Sequence, residues 1–324
     1  MNTGDLRRLL AHRGPFATVQ LSAEHRDQPW QADLTRKGAP ARTVSALDEA
    51  VRTSDEANRL LVAVGAEVLL DRRLAGPSPR LVTRVGALPY LVPLFACRRV
   101  PHAVARVGES AAEVRATDGE TTIRRTVPRA TAATELTDLV DQVRARLLVA
   151  SGDLTELWDA LPDRCREILV EPSSPRDADV DFDRIVASLV TERATTDDYA
   201  LVDRFLAELA TGGRAVQGLA DTTAALNAGT AATVVIADPA IGDAALWTST
   251  DPTAVALTEA ELPASGAAGA AKTRADEALP AAAVSTGAEL VSAAHVRGEP
   301  VALTDGVGAL LTVSPRRPGV LPQA

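Results

Sequence analysis

The chain has 324 residues and a net charge of −9, with 46% hydrophobic residues but only 3% aromatics. Its length suggests two or three domains whose cores are built from Ala, Val and Leu, and the negative balance excludes a protein whose whole surface is a nucleic-acid footprint. Two cysteines, Cys97 and Cys165, lie far apart without Cys-x-x-Cys spacing, which argues for a reducing compartment and against zinc or a disulfide framework. Met1–Leu10 has no long apolar run, so no signal peptide is expected. The most apolar stretch, Leu81–Cys97, is broken by Pro89 and Pro93 and is too short to span a bilayer. A soluble cytoplasmic protein is expected.

Leu6, Leu9 and Leu10 predict a short helix closed by Gly14-Pro15, and Phe16–Leu21 predicts a strand. Gln28–Arg42, with Pro29, Gly38 and Pro40, reads as a loop before a helix carrying Val44, Leu47 and Val51. Leu60–Val64 and Glu67–Leu70 read as strands joined at Gly65-Ala66, followed by strands over Leu81–Val85 and Tyr90–Phe95. The first domain ends near Arg99.

Val104–Val107 predicts the first strand of a second domain. Glu113–Thr117, Asp118-Gly119 and Glu120–Thr126 form a hairpin signal, because Asp-Gly suits a two-residue type I′ turn. That turn would pair Val114 with Ile123, Ala116 with Thr121, Arg115 with Thr122 and Glu113 with Arg124. A helix with Leu136, Leu139, Val140, Val143 and Leu147 on one stripe follows. Leu147–Ala150 and Glu167–Val170 read as strands around a helix over Leu154–Leu161. A three-strand meander followed by α-β-α-β resembles a ribonuclease-H-type sheet. After a Pro/Ser/Asp-rich loop, Glu171–Asp183, helical spacing runs from Ile185 to Leu209 and stops at Gly212-Gly213.

The third domain opens on a helix with Val216, Leu219, Thr223 and Leu226 on its stripe, an αL cap at Gly229 and a buried strand over Thr233–Ala237. Leu246–Ser249 and Val255–Leu257 are further strands, Glu261–Lys272 reads as a loose loop, and Gly306-Val307-Gly308 reads as a turn into the last strand.

Four separated motifs carry a family resemblance. Gly213, Gly218, Ala225-Leu226 and Gly229-Thr230 resemble the start of the C-terminal domain of archaeal and eukaryotic class-I release factors and Pelota. Arg274–Leu290 and Leu303–Leu311, with Leu6 to Val19 and Leu88–Leu94, resemble bacterial proteins related to those factors, a group with an actinobacterial branch and the ribosome-hibernation factor Balon. The resemblance implies an α/β chain of three domains: 1–99, a ribonuclease-H-like 100–211, and an L7Ae/L30e-like 212–324. It also implies the ribosome as a partner, through rRNA in the A-site region, and an elongation-factor-Tu-type GTPase.

Enzyme signatures are missing. There is no P-loop, Gly306-Val307-Gly308 lacks a third glycine and a following βαβ unit, and no Gly-x-Ser-x-Gly elbow exists. His12, His25, His102 and His295 form no metal-spaced pair, and Cys97, in an apolar run, reads as a core residue. Nuclease carboxylates fail as well: the first strand carries Arg106 and no acid, Asp118 lies in the turn, and Asp153 reads as a helix cap. The release-factor chemistry is absent too. Thr126–Ala133, where the resemblance places a Gly-Gly-Gln loop, contains none, and no Asn-Ile-Lys-Ser motif occurs. No catalytic residue, metal or cofactor is expected.

What remains is binding, and the resemblance implies a non-catalytic ribosome-associated factor for hibernation or stalled ribosomes. A hydrolase or nuclease with an unrecognised site, or a protein-interaction scaffold, are the alternatives. Arg124, Arg125 and Arg129 are the candidate rRNA contacts, with Pro128 expected to hold Arg129 outward. The derived register also lets Arg124 serve only as the cross-strand ion-pair partner of Glu113.

Overall fold

A computed structural model describes residues 3–25, 27–53, 58–74, 80–95, 100–119, 121–172, 182–237, 239–262, 269–293 and 295–313. Cys97 lies outside them. The chain divides into two compact units, Arg98–Asp198 and Asn2–Cys97 together with Tyr199–Ala324. Both are α/β. Among the described residues no helix is long and apolar enough to cross a membrane.

The N-terminal part of the larger unit runs α1 (Thr3–Leu10), β1 (Phe16–Ser22), α2 (Trp30–Arg36), α3 (Ala41–Arg52), β2 (Asn58–Val64), β3 (Glu67–Arg73), β4 (Val82–Gly86) and α4 (Val92–Phe95). Its sheet has the order β3-β2-β1-β4, antiparallel throughout. The loop expected over Gln28–Arg42 contains α2. Trp30 and Leu34, four apart, are fully buried in this sheet's core, and Pro29 and Pro40 occupy the N-cap positions of α2 and α3. The prolines therefore open helices rather than mark a loop. The strand expected over Tyr90–Phe95 is also corrected: Val92–Phe95 is a helical turn, with Pro93 in its first turn.

The smaller unit carries β5 (His102–Val107), β6 (Ala111–Thr117), β7 (Thr122–Pro128), α5 (Ala132–Val143), β8 (Leu147–Gly152), α6 (Thr155–Ala160), α7 (Asp163–Arg166), β9 (Leu169–Val170) and the first part of α8 (Phe182–Ala210). The sheet order is β7-β6-β5-β8-β9, antiparallel across the first three strands and parallel from β5 to β9. This order is consistent with the ribonuclease-H-like expectation. One sheet face buries Ala103, Ala105, Ala112, Val114 and Ala116 against Leu136, Leu139 and Val140 of α5. Each such leucine contributes roughly 1.5–3 kcal/mol by leaving water. The helix ends at Val143, not Leu147, because Arg144 turns left-handed with φ 53°. That frees Leu147 to start β8.

The C-terminal part contains β10 (Ala215–Gln217), α9 (Leu219–Asn227), β11 (Ala231–Ile236), β12 (Ala245–Thr248), β13 (Val255–Ala256), β14 (Ala271–Arg274), α10 (Ala275–Thr286), β15 (Glu289–Ser292), β16 (His295–Val296), β17 (Glu299–Pro300) and β18 (Val307–Leu311). β10, β18, β11 and β15 form one sheet in that order, and β13-β12-β14 a second. Val216 belongs to β10, opposite Ala309, rather than to the helical stripe; Gly218, with φ 90°, makes the corner into α9. Ala271 and Lys272 pair with β12, so the loop expected through Lys272 ends in a strand.

Candidate nucleic-acid interface

Strand alternation in the smaller unit places His102, Val104 and Arg106 of β5, Glu113 and Arg115 of β6, and Thr122, Arg124 and Thr126 of β7 on the sheet face away from α5. Among the described residues, the first part of α8 covers one side of that face, where Val186 and Ala194 pack on Val104, Leu147 and Val149. The β6–β7 side carries arginine instead of a buried apolar layer.

Register brings the arginines together. Arg115 stands directly opposite Arg124, and Arg106 opposite Glu113. Arg115 forms an ion pair with Asp183 at the start of α8, and Arg106 lies 3.8 Å from the same carboxylate. Arg106 also stacks over Phe182, 4.7 Å from the ring centroid. Asp183 is held below the ordinary carboxylate range, first by its hydrogen bond from Arg115. Arg124 is exposed and has no ion-pair partner among the described residues. Two facing guanidiniums repel, and an incoming anion relieves that repulsion. A depression of about 120 Å³ lies between His102, Arg115, Thr117, Thr122 and Arg124. His102 donates from Nδ1 to the Val100 carbonyl at 2.9 Å, and burial pushes its pKa below the usual histidine value.

The hairpin register differs by two residues from the sequence-based expectation. Thr117 pairs with Thr122, Ala116 with Ile123, Arg115 with Arg124, Val114 with Arg125 and Glu113 with Thr126. The loop is four residues long. A type I′ turn needs positive φ at both central positions, but only Gly119 has it, at 96°. The Asp118 carboxylate accepts from the Thr121 amide at 2.9 Å and so caps a wider turn. The expected Arg124–Glu113 pairing is thereby replaced.

The three expected RNA contacts do not form one cluster. Arg124 joins Arg106 and Arg115. Arg125, next along the strand, projects to the α5 side and pairs with Glu135 at 2.6 Å. Arg129 is turned inward, with its side chain 18% exposed, and donates to Asp153 at 2.7 Å and Glu156 at 3.1 Å. This corrects the outward orientation expected from Pro128. Asp153 also accepts from the Thr155 amide at 3.2 Å, but the N-cap position of α6 is Leu154, so Asp153 stands one residue before the cap expected of it. Sequence reasoning passed over Arg115 as an RNA contact because the shorter turn placed it opposite Thr122.

The segment that matches the Gly-Gly-Gln loop position by resemblance is the end of β7, one 3-10 turn over Arg129–Thr131, and the start of α5. Among the described residues no group of three or more His, Cys, Asp or Glu side chains could hold a metal. Cys165 is buried, and burial pushes its thiol pKa up, the opposite of an activated nucleophile.

Residues 99–211 match the family model described as bacterial archaeo-eukaryotic release factor family 2. The uncharacterized protein Rv2629 of Mycobacterium tuberculosis is 30% identical, over 96% of this chain and 96% of its own length. The chain belongs to the bacterial archaeo-eukaryotic release factor family. Among solved structures, it is similar to Archaeoglobus fulgidus Pelota, with 13% identity, a TM-score of 0.39 and coverage of 96% of this chain and 92% of that one. It is also similar to Saccharomyces cerevisiae Dom34, a translation termination-like factor interacting with Hbs1, with 9% identity, a TM-score of 0.41 and coverage of 97% and 94%.

Proposed function

We propose that this protein is a non-catalytic, ribosome-associated factor whose 100–211 domain meets rRNA through the β6–β7 side of the sheet face away from α5. The observation that carries this reading is the trio Arg106, Arg115 and Arg124 on one open sheet face, inside the stretch that matches the release-factor family model. Guanidiniums on an open sheet suit phosphate contacts without base readout. Arg124 is the leading contact. Arg125 contributes at the rim by exchanging Glu135 for a phosphate, and Arg129 would have to leave two carboxylates to do the same. The chain works as three parts, 1–99, a ribonuclease-H-like 100–211 and an L7Ae/L30e-like 212–324.

The short 129–131 turn offers no loop to carry an attacking water, which supports binding without peptide release. On this reading the factor occupies the A-site region of dormant or stalled ribosomes, brought there by an elongation-factor-Tu-type GTPase. The test is sedimentation of the full chain with ribosomes through a sucrose cushion, beside a peptide-release assay. Co-sedimentation without release is expected. Failure to pellet at low salt, or stop-codon-dependent release by protein freed of other release factors, would overturn the proposal.

A further inference from the structure

The larger unit contains a cleft of about 620 Å³ between the end of α1, the turn after β4, the β12–β14 sheet and the end of α10. That size is typical of small-molecule sites and exceeds what a lone inorganic anion fills. Its charge is one-sided. Arg7, His12 and Arg13 line it, and among the described residues no carboxylate does, in a chain of net charge −9. Asp251, in the adjacent turn, directs its carboxylate to the Thr253 amide and hydroxyl at 2.9 and 2.7 Å.

The three nitrogen-bearing side chains play different parts. Arg7 donates from Nε to the Val284 carbonyl at 3.1 Å, which fixes it against the last turn of α10. His12 and Arg13 are exposed, and among the described residues neither side chain has a hydrogen-bond or ion-pair partner. Leu10 and Leu88 give the same cleft an apolar wall, and Ser285 adds a hydroxyl with no partner among the described residues. A fixed guanidinium, an uncommitted guanidinium and imidazole, an apolar wall and a free hydroxyl together match a phosphate joined to a flat ring with apolar faces.

We propose that this cleft binds a nucleoside 5′-phosphate, with the phosphate against Arg13 and His12 and the base along Leu10 and Leu88. The same chemistry is presented by a free nucleotide and by an unstacked nucleotide of RNA. The site is separate from the arginine face and does not depend on it.

The experiment is isothermal titration of the full chain with AMP, GMP, their unphosphorylated nucleosides and a short single-stranded RNA. Saturable binding of at least one monophosphate is expected, with the nucleoside at least about tenfold weaker. Arg13→Glu should weaken binding by about tenfold or more, while Arg52→Ala, at the exposed end of α3, leaves it unchanged. Circular dichroism confirms that both variants are folded. RNA binding that depends on Arg13, with no free monophosphate bound, would assign the site to RNA nucleotides and still uphold its chemistry. No binding of any probe at about 1 mM, or binding that Arg13→Glu leaves intact, would overturn it.

Discussion

Glu277 is 2% exposed at the start of α10, with its carboxyl against Gly86 of β4; a Cβ built on Gly86 would lie 2.6 Å from Oε2. Burial first, then the charge of Asp276, pushes its pKa to about 7 from an ordinary 4.5, against the pull of Arg274 and Arg84. Arg274 cannot neutralise it fully, because its Nε and Nη2 donate to Asp276 at 3.0 and 3.1 Å. The folded state therefore holds this proton more tightly than the unfolded chain. Its contribution to stability is complete below the ordinary value and is lost as pH rises through about 7. Glu277→Gln should flatten that dependence and raise stability near pH 8 by up to about 3 kcal/mol. Urea denaturation of both proteins near pH 5 and pH 8 measures it; equal wild-type stability at the two pH values would contradict the assignment. Asp153 shifts the other way, to about 2, first through its hydrogen bond from Arg129. Arg129→Ala should return it toward its ordinary 3.8, read by the NMR titration of that carboxyl. A titration still near 2 would mean that the bonds from Thr155 alone hold it.

Pairing in the parallel half of the smaller sheet depends on Gly152, which sits opposite Val107 with φ 105°. A Cβ there would overlap the Val107 carbonyl. Gly229 has φ 64° but open space around it. Gly152→Ala should therefore cost roughly 3 kcal/mol or more, and Gly229→Ala about 1 kcal/mol, the conformational strain alone. Comparable denaturant midpoints for the two variants would contradict this. The same contrast of local pattern with surroundings explains what the sequence made legible. The α5 stripe was readable because one helix face meets the sheet and the other meets water. α10 left no period, since Ala275–Val284 is buried on every side. Pro93 and the short run around it hid a helical turn inside an apolar stretch. The arginine face was half legible: alternation put Arg115 and Glu113 on one side, but turn length decided which residue faced Arg124. No local signal marks the Arg129 clamp, whose carboxylates come from 24 and 27 residues further along the chain.

At the scale of the molecule, a chain of net charge −9 is repelled by RNA except where its cations are gathered and uncovered. Binding should therefore rest on few phosphate contacts and weaken steeply with salt. Arg106 and Arg124 are the arginines of the face that can be removed without breaking the Arg115–Asp183 pair. Each neutralises about one phosphate, so losing both should lower the slope of log affinity against log salt by between about one and two units. The most direct measurement is ribosome affinity across a salt series, for wild type and the Arg106→Ala/Arg124→Ala variant, with folding checked by circular dichroism. Weaker binding and a shallower slope in the folded variant are the expected result. Unchanged affinity and slope would show that this face does not touch rRNA.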